Sequence, residues 1–546
     1  MPMSSTRCAA GVLVGLFACA ALDARQQGVP EAVRASADAI SSEQLAWDLA
    51  YLASDEQQGR NTPSPRFDAA ADYIATRLAR AGLKPAGDAG TFRQHYELHE
   101  TRADTDAASI GIGDRHFTFG RDFAMRSLAA PVSGARPIVY VGHGWVLPGR
   151  GVDPYAGLDV RGKLVLAHGP RVLPKGVDVQ QIGRSVVNAQ TPLVAAAERG
   201  AAGVLFITQA SELVRWDGVR GANTVRRELD PGVPSAYAAP PITSVLLTPH
   251  VTAALLEGEA LDGPAALGLA DRGEFPASFQ LKKQVTLEVP LAMRTVLRPF
   301  NVVAQLEGSD PRLKAEAVTI AAHLDGAVGT RPVDRDAIYN AADDNASGSA
   351  ALLSIAEAMA KAPRPKRSIV FLWDSGEEQG LWGTRWFVQH PPVTRDSIVA
   401  HINVDMIGAS RRPGAADEAS KAVTERNEVF LIGPRVLSTQ AEVLLDRVNE
   451  TYLKLRFNRD YDRVDHELFY PRTDAGPFLE RGILTIGFTT GIHPRYHLPA
   501  DEAQFLDPVQ VHAIARTVFA SLWALADAAE RPRIDRPIPP SVPKHP

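Results

Sequence analysis

From Asn301 to about Gly491 the chain alternates short, continuous apolar runs with segments of helical spacing, and this limits the available folds more than any other feature. The runs are NVVAQLEG, AVTIAAH, SIVFLWDS, AHINVDMIG, EVFLIG and ILTIGFTTG. They are rich in β-branched residues and have no polar face, so strands made from them are buried on both sides. Interleaved with helices, they imply an α/β fold built on a mainly parallel central sheet, covered on both faces.

Upstream, SSEQLAWDLAYLASDE offers Ser42 as a helix cap, and DAAADYIATRLARAGLK repeats the helical pattern from Asp68 and closes at Gly82. At about Pro131 the texture changes to the short β-rich runs RPIVYVGHG, GKLVLAHG and GAAGVLFIT, with the Ala-rich helix TPLVAAAERG before the last. We therefore expect residues 30–129 to open a domain that 286–530 completes, 130–285 to be an inserted α/β module, and the Pro-rich 531–546 to be a loose tail. This agrees with the roughly two to four domains that the length suggests.

The first 24 residues read as a secretory signal, with Arg7, a short apolar run and then small residues. Export to a periplasmic or extracellular location follows, with no transmembrane span after cleavage. Two alternatives are a retained anchor and lipidation at Cys19, since Leu16–Cys19 resembles a lipoprotein box in which Phe17 is out of pattern. Cys8 and Cys19 are the chain's two cysteines, so cleavage near Ala20 or Ala24 removes all thiol chemistry. A formal net charge of -5 without basic blocks argues against nucleic acid as a partner. Oligomeric state is not legible.

In open α/β sheets functional groups gather where strands end. The residues at those places are His323 and Asp325 after AVTIAA, Glu377 and Glu378 after SIVFLWDS, Asp405 in AHINVDM, and His497 and Asp501 after the last run. Asp344 joins them from the pair in NAADDNASG. Singly, each has an ordinary structural reading as a cap, a turn or a satisfied core group. Together they place metal-ligand types on five segments, with a spare glutamate beside one of them. Two imidazoles and three carboxylates suit two zinc ions, with a carboxylate able to bridge.

The order HLD, AADDNASG, GEEQG, NVDM and YHLPADE resembles the di-zinc aminopeptidases of metallopeptidase family twenty-eight, the group of aminopeptidase Y and the bacterial leucyl aminopeptidases. The resemblance is strong from about Asn301 to Leu525, weaker in LASDEQQGR and RLARAGLKPAG, and residues 130–285 resemble a protease-associated domain. It implies two zinc ions per chain and peptide substrates. His323, Glu378, Asp405 and His497 would be terminal ligands and Asp344 the bridge, followed by a cis peptide. Glu377 would be the general base and Tyr496 a carbonyl-polarising group. Asp325 would orient His323 and Asp501 would orient His497, while Asp343 shapes the loop.

Two departures stand out. Ala341 replaces a usual glycine, and Thr473, Asp474 and Ala475 stand where relatives often have Ser-Asp-His. The reading is an exported zinc aminopeptidase. Alternatives are a carboxypeptidase or dipeptidase on the same metal core, a non-catalytic peptide-binding protein, and a glutaminyl-cyclase-like acyl transfer. Retention of Glu377 argues against the binding protein, and the complete two-metal set argues against the acyl transfer.

Overall fold

Six long strands carry the main sheet: β1 (Phe300–Leu306), β2 (Ala317–His323), β3 (Ser368–Asp374), β4 (Ile398–Val404), β5 (Glu428–Ile432) and β6 (Leu484–Thr489). They lie in the order β1-β3-β2-β4-β6-β5, with Lys84–Pro85 beside β1 and Arg456–Asn458 beside β5. The four inner strands β3-β2-β4-β6 are parallel, and β1 and β5 close the group antiparallel. This computed structural model describes residues 28–169, 171–177, 189–230, 233, 242–326, 329, 332–412, 414–415, 417, 422–464, 472–539 and 542. The expected signal at 1–24, with both cysteines, lies outside them.

The continuous apolar runs are explained by burial on both faces. Ile369, Phe371 and Trp373 of β3 enter one core and Val370 and Leu372 enter the other. The first core is closed by helices α1 (Ser42–Leu52), α2 (Pro65–Arg80), α3 (Gly348–Lys361) and α4 (Pro508–Asp527). The second is closed by Trp382–Gln389 and Ala475–Glu480. Each large side chain so buried stabilises the unit by roughly 1.5–3 kcal/mol. Helix α4 is long and apolar enough to cross a membrane, but 78% of its apolar window is buried inside the protein, as in a core helix.

Helix starts differ slightly from expectation. Ser41, rather than Ser42, caps α1 by accepting from the Gln44 amide at 3.1 Å. Helix α2 begins before Asp68, because Ser64 accepts from the Phe67 amide and Pro65 is preset for the first turn. The tail is also not loose where it is described: Arg531 donates to the Asp396 and Ile398 carbonyls, the Asp535 amide donates to Leu437, and Val542 is buried.

The described parts of Met1–Tyr96 and Arg298–Pro546 form one compact unit, and those of Glu97–Leu297 a second. The second is wider than the expected 130–285. Strand Leu98–Ala103 pairs with Val225–Leu229 and Leu291–Leu297, and Phe123–Ser127 pairs with Ser244–Leu247. The change of texture near Pro131 marks where the module's parallel strands begin, not its boundary. Those parallel strands are Ala135–Tyr140, Leu164–His168, Gly203–Ile207 and Ser244–Leu247.

Candidate metal centre

The sheet delivers its polar groups at the carboxyl ends of the parallel strands. His323 is the last residue of β2, Asp405 follows β4, and Glu377 and Glu378 open a short turn after β3. Asp344 lies in the loop that leads into α3, and His497 lies beyond β6 with φ +57°. Asn345 ties two of these places together: its amide donates to the Val404 carbonyl at 3.0 Å, and its Oδ1 accepts from the Gly348 and Met406 amides. Gly348 permits this approach, since a Cβ there would sit 2.4 Å from the Val404 carbonyl oxygen. The Asp344–Asn345 peptide is cis.

These loops assemble two donor groups that share one carboxylate: His323, Asp344 and Asp405, and Asp344, Glu378 and His497. His323 Nε2 is 3.1 Å from Asp344 Oδ1 and 3.3 Å from Asp405 Oδ1. His497 Nε2 is 3.1 Å from Asp344 Oδ2 and 3.1 Å from Glu378 Oε2. Asp344 therefore turns one oxygen to each group, the arrangement of a bridging carboxylate. Donors around a tetrahedral zinc at about 2.0–2.1 Å stand about 3.3–3.4 Å apart, close to the spacing here. The donor chemistry fits as well. His323 Nδ1 is 2.9 Å from the Asp325 carbonyl, and donating to it leaves the Nε2 lone pair facing the cluster. Glu378 Oε1 is buried with no protein partner.

Charge in the cluster is finely opposed. Burial works against a charged His323, but Asp405 and Asp344 outweigh it and hold the imidazole well above its ordinary value. His497 is raised to about 10 against burial by Asp344 and Glu378. Burial, with Asp344 adding, pushes Glu378 up to about 8, and burial first also raises Asp405 and Glu377. Asp344 goes the other way, because hydrogen bonds from both imidazoles overcome its burial. With protons as the only cations, the cluster retains them at neutral pH. Divalent cations would take their place.

Of the two expected supports, Asp325 does reach His323, though by its main chain, and Asp501 is corrected. Asp325 holds His323 through its main-chain carbonyl, and its carboxylate instead accepts from the Gly376 and Glu377 amides at 2.7 and 3.3 Å. It therefore fixes the turn that carries Glu377. Asp501 does not reach His497 as an orienting group. It accepts from the Asp343 and Asp344 amides at 3.1 and 3.2 Å and so grips the backbone beneath the shared carboxylate. Asp343 shapes the loop, with Oδ1 accepting from the Gly408 amide at 2.6 Å and Oδ2 3.3 Å from His493 Nε2.

Glu377 belongs to neither donor group. It lines a cavity of about 80 Å³ with Asp344, Asp405 and Tyr496, and with the apolar residues Met406, Ile432, Phe488 and Ile492. Arg472, Thr473 and Ala475 line the same cavity, and the Tyr496 ring stacks on His497 at 3.6 Å between centroids. Sequence reasoning missed Arg60 and His493, which lie beside the Asp344 loop. LASDEQQGR contains the first, yet nothing local in it signals a buried guanidinium. His493 could have been suspected from its place in GIHPRYH.

Residues 301–522 match the model of peptidase family M28. An aminopeptidase of Pseudomonas aeruginosa (strain UCBPP-PA14) is 28% identical over 239 residues, 43% of this chain and 39% of that protein. The chain thus spans about two fifths of the length of that relative. Among solved structures, the aminopeptidase from Aneurinibacillus sp. strain AM-1 is 16% identical with a TM-score of 0.51, over 92% of this chain and 97% of the other. A zinc aminopeptidase from Bacillus subtilis is likewise 16% identical with a TM-score of 0.51, over 91% and 99%. Those two likenesses concern the fold; the match to the family model is confined to residues 301–522, which resemble a peptidase family M28 domain.

Proposed function

We propose that this protein is an exported, zinc-dependent aminopeptidase that uses two zinc ions, one in each donor group, to hydrolyse the first peptide bond of its substrates. The observation that carries the reading is the position of Glu377: a carboxyl that lines the cavity beside both groups and belongs to neither. When bound, the ions supply Lewis acidity to a water molecule and to the scissile carbonyl. His323 and Asp405 would hold one ion, Glu378 and His497 the other, and Asp344 would serve both. Glu377, raised by burial and by neighbouring acids, accepts the proton of the attacking water and passes it to the departing amine. Tyr496, beside His497, keeps its proton far above neutral pH because it is buried, so its hydroxyl is available to donate to the carbonyl oxygen. The apolar lining of Met406, Ile432, Phe488 and Ile492 suits an aliphatic first side chain.

The names of the Pseudomonas and Bacillus proteins support the aminopeptidase reading, and the similarity of residues 130–285 to a protease-associated domain supports reading the second unit as accessory. A second reading, a dipeptidase or carboxypeptidase, draws on Arg472, a cation in the same cavity that could pair with a substrate's terminal carboxylate. A panel of aminoacyl anilides, amino-blocked peptides and free dipeptides, assayed with zinc content, separates them. Cleavage of anilides with free amines and none of amino-blocked peptides is expected. Cleavage confined to substrates with a free carboxylate would overturn the aminopeptidase reading.

A further inference from the structure

Arg60 is completely buried, and it differs from other buried arginines of this protein. Arg367 pairs with Glu316 and Arg385 with Glu480, whereas the hydrogen bonds of Arg60 run to four main-chain carbonyls. Nε donates to Leu324 at 2.9 Å, one terminal nitrogen to Leu52 and to Asn340 at 3.1 Å, and the other to Ala341 at 2.9 Å. The identity of those carbonyls matters. Leu324 lies between His323 and Asp325, Asn340 and Ala341 lead into the Asp344 loop, and Leu52 ends α1.

The chain departs from ordinary geometry to put the guanidinium there. Gln58, Gly59 and Arg60 have φ of 46°, 73° and 56°, a left-handed turn that side chains disfavour. Gly326 packs against it so closely that a Cβ would sit 2.7 Å from the Gly59 carbonyl oxygen and 2.3 Å from Ala341 Cβ. A second tie joins the same places, since the Asn340 amide donates to the exposed Asp55 at 2.9 Å. A third reaches the turn that carries the glutamates, where Gln379 donates to the Thr62 carbonyl at 2.8 Å. The guanidinium's charge meets neutral acceptors only, and the acids it interacts with across the interior are Asp325, Asp501 and Asp344. A buried cation bonded only to carbonyls is costly unless a negative field surrounds it, and Asp325, Asp501 and the shared carboxylate of Asp344 supply that field.

We propose that Arg60 is a positioning residue for the metal centre: its planar fork fixes the separation of the loop after His323 from the loop before Asp344, so that the Asp344 carboxylate spans both donor groups. The proposal rests on reading those groups as zinc sites. A lysine keeps the charge but offers three donors from one nitrogen in place of the fork that spans four carbonyls, so shape as well as charge is at stake.

The test is zinc affinity of the full-length, metal-free protein, read by competition with a chromogenic chelator alongside thermal unfolding of the same samples. Arg60→Lys is expected to weaken zinc binding about 10–100-fold, the effect of losing a group that orients ligands. Arg60→Ala is expected to weaken it further and to recover part of the affinity in millimolar guanidinium. Asp55→Ala removes an outward tie without opening the core, and is expected to weaken zinc binding by about threefold to tenfold, below the range for the full clamp. Arg60 variants that unfold at lower temperature but bind zinc like wild type would overturn the proposal and make Arg60 a folding residue. If those variants do not fold, Asp55→Ala decides alone, and wild-type affinity there overturns it. A wild-type protein that takes up no zinc would overturn the metal reading and this proposal with it, whereas normal wild-type uptake with unaffected variants overturns the proposal alone.

Discussion

His323 and His168 occupy equivalent places in two different sheets. Each is the last residue of a parallel strand, each is 1% exposed, and each has one ring nitrogen near an oxygen acceptor or donor. Their proton affinities nevertheless move in opposite directions. His323 is held well above the ordinary imidazole value by Asp405 and Asp344 in spite of burial. His168 is lowered to about 4 by burial, with His143 adding to the effect, and its other neighbours are Tyr140 and Phe275. A buried imidazole at a strand end is therefore not a site by itself. Carboxylates arriving from other loops make it one, and the loops that bring them are long-range partners in sequence.

The largest effect should come from removing the carboxylate that both groups share. Asp344→Ala is expected to abolish zinc uptake at both groups and with it peptidase activity, while Asp405→Ala disables one group directly. Zinc content by atomic spectroscopy, with anilide hydrolysis, checks the ranking. Equal zinc content in wild type and the Asp344 variant would remove the distinction drawn between the two histidines. Chelation should reproduce the loss in wild type and added zinc should reverse it.

Within one dipeptide the comparison sharpens. Glu377→Gln is expected to keep zinc affinity and to lose roughly 10²–10⁴-fold in turnover, the range of a general base. Glu378→Gln takes a charged ligand from the second group and should weaken zinc binding together with activity. Titration calorimetry with zinc on both variants tells them apart, and exchanged phenotypes would mean that the two glutamates have each other's role.

The parallel sheet was readable because residues such as Phe371 and Leu372 are both apolar and point to opposite cores, which leaves no polar alternation in the run. The candidate donors His323, Glu378 and Asp405 were readable for a related reason, since they stand at or just beyond the ends of those runs, whereas Asp344 and His497 lie farther along their loops. What could not be read were the contacts made across the fold. The resemblance pairs Asp325 and Asp501 with histidines close in sequence, whereas their carboxylates take main-chain amides at Gly376 and Asp343. Arg60 was hidden for the same reason, since its partners at Leu324, Asn340 and Ala341 come from other segments. The edge of the second unit was missed because short strands such as Leu98–Ala103 alternate polar and apolar residues and leave no continuous run.

The smallest expected effect concerns His168, and its sign follows from the comparison. An imidazole whose folded value is about 4 stays neutral in the native state while the unfolded chain takes up a proton near pH 6.5. Its contribution to stability is complete above pH 6.5 and is lost as pH falls toward 4, by about 2 kcal/mol between pH 7.5 and pH 5. His323 in metal-free protein has the opposite dependence, because a raised value stabilises at acid pH and is lost only as pH rises through it. Other acids titrate in the same range, so the informative quantity is a difference. His168→Gln removes the titration and retains a group that can hydrogen-bond Tyr140. Urea unfolding of both proteins at pH 7.5 and pH 5 should show the variant losing about 2 kcal/mol less than wild type on acidification. An equal loss would mean that His168 is protonated in the folded state, and that burial alone does not separate it from His323.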